Sequence, residues 1–268
     1  MSDLLSELGK KLADRWLTAV LLPGLLATAV AVCGHILGHQ DAFNVDRLSA
    51  GIQDLIDGLN VRPPATTVVV AALALVAASG AGLAAQALGV TVHKVLTSTR
   101  PHWWVGLRRR RAPRVTRAGD PRPESYLPTR ISPVGDRFQL ISPRINAQYG
   151  LDVTLAWPRI WLLLPEAARS EIGDGYASYR AATMLTGWGL LYVALGSIWW
   201  PASVAGAVIL VVGYRRVADA GLVVADVIES AVDLYAKPLA DAVGIPLPNE
   251  RVTPVQGSQI NNVLNKRA

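Results

Sequence analysis

Three long stretches of this chain carry no Asp, Glu, Lys or Arg: residues 17–34, 65–92 and 184–214. A helix needs roughly 20 mainly apolar residues to cross a bilayer, so each stretch predicts membrane-spanning structure. The first span is expected over about 17–38, kinked at Pro23, because proline removes a hydrogen bond and crowds the preceding turn. The second is expected over about 65–92, where Ala71, Ala74, Ala78, Ser79, Gly82 and Ala85 favour close packing on another helix. As one helix, the third stretch would measure about 46 Å against a hydrocarbon core of about 30 Å. Trp199, Trp200 and Pro201 interrupt it and suit a turn at the membrane interface. A hairpin of two short spans, 183–200 and 201–215, is therefore predicted.

Helical spacing recurs outside these runs. Leu4, Leu5, Leu8, Leu12 and Trp16 oppose Asp3, Glu7, Lys10 and Asp14, predicting a surface helix over 3–16. Ile52, Leu55, Ile56 and Leu59 oppose Asp54 and Asp57, predicting a short helix on the outer surface that ends before Pro63 and Pro64. After Arg216, Asp219, Asp226, Glu229 and Asp233 share one face, while Val217, Ala220, Val224, Ile228, Ala231 and Tyr235 share the other. An acidic face does not suit an anionic leaflet. This helix is expected to pack on protein: its own basic segment, a neighbouring helix or another subunit. Pro238 is expected to end it.

The pattern predicts an all-α polytopic membrane protein with four transmembrane helices, two plus two, amphipathic interfacial helices and a cytoplasmic connector. Residues 1–98 hold the N-terminal amphipathic helix and the first two spans, with an outer loop over 39–64. Residues 99–182 form the connector, a linker over 99–128 followed by an ordered segment over 129–182. Residues 183–237 form the hairpin and the amphipathic cytoplasmic helix. Residues 238–268 form a polar C-terminal tail, loosely ordered over 246–268.

Composition agrees with lipid-facing surface: 51% of the 268 residues are hydrophobic and 17% are charged, against about 25% charged in a typical soluble domain. The net charge of +6 is unevenly spread. Residues 94–183 hold fifteen Lys and Arg against seven acids, while residues 39–64 hold two against four. Basic loops stay on the cytoplasmic side. The connector and both termini are thus expected on the cytoplasmic side, and the acidic loop outside. Lys10, Lys11 and Arg15 form a signal-like n-region, but no small-x-small cleavage site follows, so the segment is expected to be retained.

Candidate chemistry is confined to the connector. Pro101 and His102 lead into Trp103 and Trp104, then Arg108, Arg109, Arg110, Arg111, Arg114 and Arg117, with prolines at 113, 121, 123 and 128 keeping the segment extended. Trp103, Trp104 and Arg108 to Arg111 are predicted to anchor on anionic headgroups, each basic residue contributing about 1 kcal/mol. Plain topogenic charge is the simpler alternative. No nucleic-acid partner is expected, since no reading element accompanies the arginines. Tyr149, Asp152, Trp157 and Arg159 are expected to shape a cytoplasmic platform. With Asp219, Asp226 and Asp233 they are the candidates for docking a protein partner or a further copy of the chain. Asp152 is also placed to cap a helix beginning near Val153. The apolar stretch 153–164 is too short to span, and suits a helix half-buried in the interface or packed under the hairpin.

Asp136, Asp152, Glu166 and Asp174 show no acid–base pairing, and no phosphate loop, HExxH site or nucleophile elbow occurs. His35 and His39 lack further metal ligands nearby, and the single Cys33 forms no internal disulfide. No catalytic residue, cofactor or metal is predicted. The three uncharged runs hold no Asp, Glu, Lys or Arg of the kind that marks ion-coupled transport.

The chain resembles a family of uncharacterised actinobacterial integral membrane proteins along most of its length. The likeness rests on Leu-Gly-Lys-Lys-Leu-Ala-Asp-Arg-Trp at 8–16, Leu-Pro-Gly at 22–24 and Leu-Gly-His at 37–39. It continues with Pro-Thr-Arg at 128–130, Tyr-Gly-Leu-Asp at 149–152, Trp-Pro-Arg at 157–159, Leu-Pro-Glu at 164–166 and the hairpin leading to Tyr-Arg-Arg at 214–216. The family continues its Thr-Arg segment with Gly-Asn, whereas this chain has Ser132 and Pro133, with Gly135 displaced. The resemblance implies an inner-membrane location and the four-span layout, and supplies no activity. The expected role is a non-enzymatic membrane anchor, scaffold or regulatory subunit. The alternative is an oligomeric, membrane-permeabilising pore dependent on Gly82 and Ala78. A membrane-bound enzyme using 129–183 ranks below both.

Overall fold

The computed structural model describes residues 6, 7, 10, 17–111 and 127–265. Most of the helix expected over 3–16, and Arg114 and Arg117, lie outside them. Among the described residues the chain is all-helical. A π-helical turn, Leu17–Leu21, leads into α1 (Leu22–Leu37), followed by α2 (Val45–Asn60), α3 (Pro64–Leu96) and α4 (His102–Arg111). Then come α5 (Pro133–Tyr149), α6 (Val153–Leu163), α7 (Glu166–Leu195), α8 (Trp200–Ala242) and α9 (Pro254–Leu264). Pro23 stands where the π-helical turn gives way to α1.

The chain divides into two units, one of Met1–Val92 and Thr183–Tyr214, the other of His93–Ala182 and Arg215–Ala268. In the first unit, helices meet through glycine. A Cβ at Gly24 would collide with the Ala78 carbonyl oxygen, one at Gly82 with Val20, and one at Gly187 with the Ala85 carbonyl oxygen. Gly206 lies against the backbone of Val193 in the same way. Ala27, Ala85, Trp188, Tyr192 and Ala202 form the small core. Large apolar side chains point outward instead, among them Leu26, Val69, Leu73, Val76, Leu83, Val204 and Val208. Of these helices, α3 alone is long and apolar enough to cross a membrane, and only 17% of its most apolar stretch is buried. The run 184–214 turns at residues 196–199, which divides it between α7 and α8.

The second unit has an ordinary interior of large apolar side chains. Val134, Ile141, Ile145, Leu151, Ile160, Leu164, Val217, Val224, Ile228, Val232, Leu239 and Ile260 all belong to it. Burying one such side chain fully contributes about 1.5–3 kcal/mol. Here α6 packs with α5 and α9, its faces divided between Ala156 and Ile160, which are buried, and Leu162, which is exposed.

Two expectations for the C-terminal region are corrected. The amphipathic helix does not end at Pro238, because α8 continues to Ala242 with Leu239 and Ala240 buried. Packing on both sides of the proline outweighs the one hydrogen bond it removes. The tail expected to be loosely ordered likewise contains a helix. Residues 254–264 form α9, and Ile260 and Leu264 enter the core four residues apart.

Candidate functional site

The second unit carries the polar chemistry, and its geometry begins where α3 ends. The last carbonyls of a helix lack partners within it. Here the Ser132 hydroxyl donates to the Leu96 carbonyl at 2.8 Å, Arg130 Nη1 to Thr97 at 2.9 Å, and the Ile131 N–H to Ser98 at 3.0 Å. Ser132 simultaneously caps α5 by accepting the Gly135 N–H at 3.0 Å. A Cβ on Gly135 would strike the Leu96 carbonyl oxygen. The Ser132, Pro133 and Gly135 arrangement therefore makes a complete helix start in this chain.

Asp136, in the first turn of α5, holds the preceding segment. Its Oδ1 accepts the backbone N–H groups of Thr129 at 2.8 Å and Arg130 at 2.7 Å, and its Oδ2 pairs with Arg108 at 2.9 Å. Arg108 also donates to the Arg130 carbonyl. Two corrections follow for the predicted lipid anchor. Residues 102–111 are helical, because the prolines that would keep the segment extended fall at 113 and beyond. Arg108 is half-buried in an internal ion pair and is not offered to lipid. Arg109 and Arg110 are exposed, as is Trp103, while Trp104 Nε1 donates to Ile131 at 3.3 Å. The Trp103 and Trp104 rings meet edge to face at 5.7 Å. Arg111 ends α4, and its side chain lies outside those described.

The acidic stripe of α8 faces α5. Arg137 donates to both Glu229 oxygens, at 2.5 and 2.7 Å, and to Asp226 Oδ1 at 2.6 Å. The hydrogen bond to Glu229, then that to Asp226, outweigh burial and hold the Arg137 guanidinium further from deprotonation than usual. Arg144 lies 3.5 Å from Glu229. Tyr149 donates its hydroxyl to Asp233 at 2.8 Å, and burial followed by that bond pushes its pKa up to about 12. Asp226 and Asp233 thus meet partners within the chain, on the neighbouring helix α5. Asp226 meets the opposite charge of Arg137 and Asp233 the neutral hydroxyl of Tyr149. Asp219 is exposed.

Asp152 caps α6 by accepting the Thr154 N–H at 2.8 Å, and its own N–H donates to Asn261 Oδ1 at 3.0 Å. Asn261 Nδ2 donates to the Gly150 carbonyl at 2.8 Å. Gly150 ends α5 with φ +67°, a left-handed conformation that glycine adopts without strain, and a Cβ there would also strike Pro254. Trp157 stands 6.1 Å from Trp161, ring to ring, and Arg159 donates to the Leu155 carbonyl at 2.8 Å, so both serve α6 itself. Tyr179 shares a 2.8 Å hydrogen bond with His93 Nδ1 and meets Phe138 edge to face at 5.6 Å. Burial pushes the Tyr179 pKa up to about 12.

Arg137, Arg144 and Asn261 have no sequence signature, since each acts through partners more than eighty residues away. Two open recesses border this network. Thr97, Arg130, Gly135, Phe138 and Gln139 line one, and Thr99, His102, Val105, Gly106, Arg109, Pro128 and Thr129 line the other. Among the described residues, no group of three or more His, Cys, Asp or Glu is placed to hold a metal ion. Compared with family models, curated proteins and solved structures, the chain finds no match.

Proposed function

We propose that the protein is a non-enzymatic integral membrane anchor, scaffold or regulatory subunit, in the inner-membrane layout that its resemblance to the actinobacterial family implies. In this reading α1, α3 and the α7–α8 turn place four spans in a bacterial inner membrane with both termini inside. The second unit then forms a cytoplasmic helical platform. The observation that carries the reading is the inverted construction of the first unit. Small residues and backbone meet between its helices while Leu and Val point outward. Water would oppose that distribution, and hydrocarbon, which offers no hydrophobic drive between helices, favours it.

The platform is held rigid by the Arg137 network, and it offers two surfaces. Trp103, Arg109 and Arg110 on α4 suit anionic headgroups. Asp219, Leu222, Val223 and Leu234, on one exposed face of α8, suit a protein partner or a further copy of the chain. Alkaline carbonate extraction of membranes from the native cell tests the reading. The chain is expected to stay with the lipid pellet, and its complete release to the supernatant contradicts insertion.

A further inference from the structure

Helix α2 has sixteen residues and none of them is buried. It nonetheless has a sharply divided surface. At roughly 100° per residue, Val45, Leu48, Ile52, Leu55, Ile56 and Leu59 fall within about 100° of arc. Asp46, Gln53, Asp54 and Asp57 occupy the opposite side. Ile52, Leu55 and Ile56 are each 42–51% exposed. Such a face on a helix of this length needs an occupant.

The surroundings of α2 indicate which one. Ile36, near the end of α1, presses on Gly51 so closely that a Cβ there would meet it at 2.5 Å, whereas Gly58 meets nothing. The helix therefore leans on the first unit at one side and stands free further along. Its approach is an aromatic and polar cluster. Phe43 meets Trp200 edge to face at 5.5 Å, Trp199 Nε1 donates to the Ala42 carbonyl at 3.1 Å, and His39 Nε2 lies 3.0 Å from the Ser197 carbonyl. Tryptophans with a polar handle collect at headgroup depth. A helix leaving from that level, tied at both ends to apolar helices, lies along the boundary between headgroups and acyl chains.

We infer that the apolar face of α2 is seated in the lipid leaflet on the Trp199–Trp200 side, which is the outer one in the proposed topology. The inference rests on the membrane reading above. Its chemistry differs from that of α4. The polar face of α2 carries Asp46, Asp54 and Asp57 against one arginine, Arg47, which is already paired with Asp41. Attraction to anionic lipid cannot hold this helix, so insertion depends on apolar area alone and tolerates a zwitterionic leaflet. The chain then grips its two leaflets by different means, charge with tryptophan on α4 and uncharged burial on α2.

The test uses the full chain with Cys33→Ser, reconstituted in phosphatidylcholine vesicles. Single cysteines replace Ile52, Ile56, Asp54 or Asp57, and Val76 on α3 serves as a control; each carries an environment-sensitive fluorophore. Labels at 52 and 56 are expected to emit blue-shifted light and to be quenched several-fold more by a lipid spin label than labels at 54 and 57. Those at 54 and 57 are expected to respond to aqueous iodide. Added phosphatidylglycerol is expected to leave the pattern unchanged. If position 76 also escapes the lipid quencher, the membrane reading itself fails. If 76 is quenched while all four α2 labels respond to iodide, α2 stands off the surface and the inference is overturned. Labels at 52 and 56 shielded from both quenchers, with disulfides forming between copies at those positions, assign the face to a second copy and overturn it equally.

Discussion

Arg137 on α5 grips Glu229 on α8 through both carboxylate oxygens, 92 residues along the chain. The arginine side chain is 15% exposed and the glutamate 19%. Removing either leaves a poorly solvated charge with a weaker partner, Arg144 for Glu229 and the more exposed Asp226 for Arg137. Arg137→Ala should destabilise the second unit by about 1–3 kcal/mol. Glu229→Ala should act similarly, and the double variant should lose less than the sum. Thermal unfolding of the detergent-solubilised chain measures the cycle, and additive losses would deny the pairing any role.

Two glycines of α3 should respond oppositely to the same change. At Gly82 a methyl group would run into Val20, while at Gly80 it would meet open space. Gly82→Ala should cost about 1–3 kcal/mol through overpacking. Gly80→Ala should be neutral or stabilising by up to about 1 kcal/mol, because alanine is the better helix former. Melting temperatures of the two purified variants make the comparison. Because Gly82 and Ala78 are occupied within one chain, loss of fold is the expected result at Gly82, not loss of an intermolecular contact.

Tyr149 and Tyr179 should ionise late. Their pKa values are raised to about 12 from an ordinary 10. The folded state therefore keeps protons that the unfolded chain releases between those two values. Their contribution to stability is complete below about pH 10 and is lost as pH rises toward 12. Ultraviolet titration should show Tyr149 and Tyr179 among the late tyrosinates, and one fewer late tyrosinate after Tyr149→Phe. Early titration of every tyrosine would contradict the described burial.

Truncation after Arg251 should open the second unit, since it removes Ile260, Leu264 and the Asn261 link between the Gly150 carbonyl and the Asp152 N–H. Asn261→Ala alone leaves both backbone groups short of a partner and should cost about 1–3 kcal/mol. Limited proteolysis between residues 140 and 165 reports both effects. Unchanged protection in the truncated chain would show that α9 adds nothing.

Arg109→Gln with Arg110→Gln should weaken association with a fluorescent anionic lipid by about 1 kcal/mol per residue, without affecting a zwitterionic control. Arg108→Gln should instead reduce stability, because Arg108 holds Asp136. Fluorescence transfer from the tryptophans of the reconstituted full chain to labelled phosphatidylglycerol distinguishes the two effects.

Period and local chemistry made much of this fold legible. The buried face of α8, Val217, Val224, Ile228 and Ala231, follows the spacing of its sequence, and Asp152 caps α6 as its position before Val153 requires. The misread parts have a common physical origin. Pro238 and the polar segment after it carry local signals for chain breaking, and distant packing of Leu239 and Ile260 overrides them. Arg108 reads as one of four equivalent arginines until Asp136 is brought beside it. The acidic stripe was expected to meet protein, but which basic residue meets it depends on the register of α5 against α8, and spacing along one chain does not encode that.

The proposed topology puts a bilayer between Gly58 and Asp219. In a Cys33→Ser background, Gly58→Cys and Asp219→Cys each place one thiol at an exposed position with open surroundings. Labelling intact cells with a membrane-impermeant maleimide reads the sidedness of each. Gly58→Cys should react at once, and Asp219→Cys only after permeabilisation. Reaction of Asp219→Cys in intact cells would contradict the proposed topology, as would a Gly58→Cys thiol that reacts only in lysed ones.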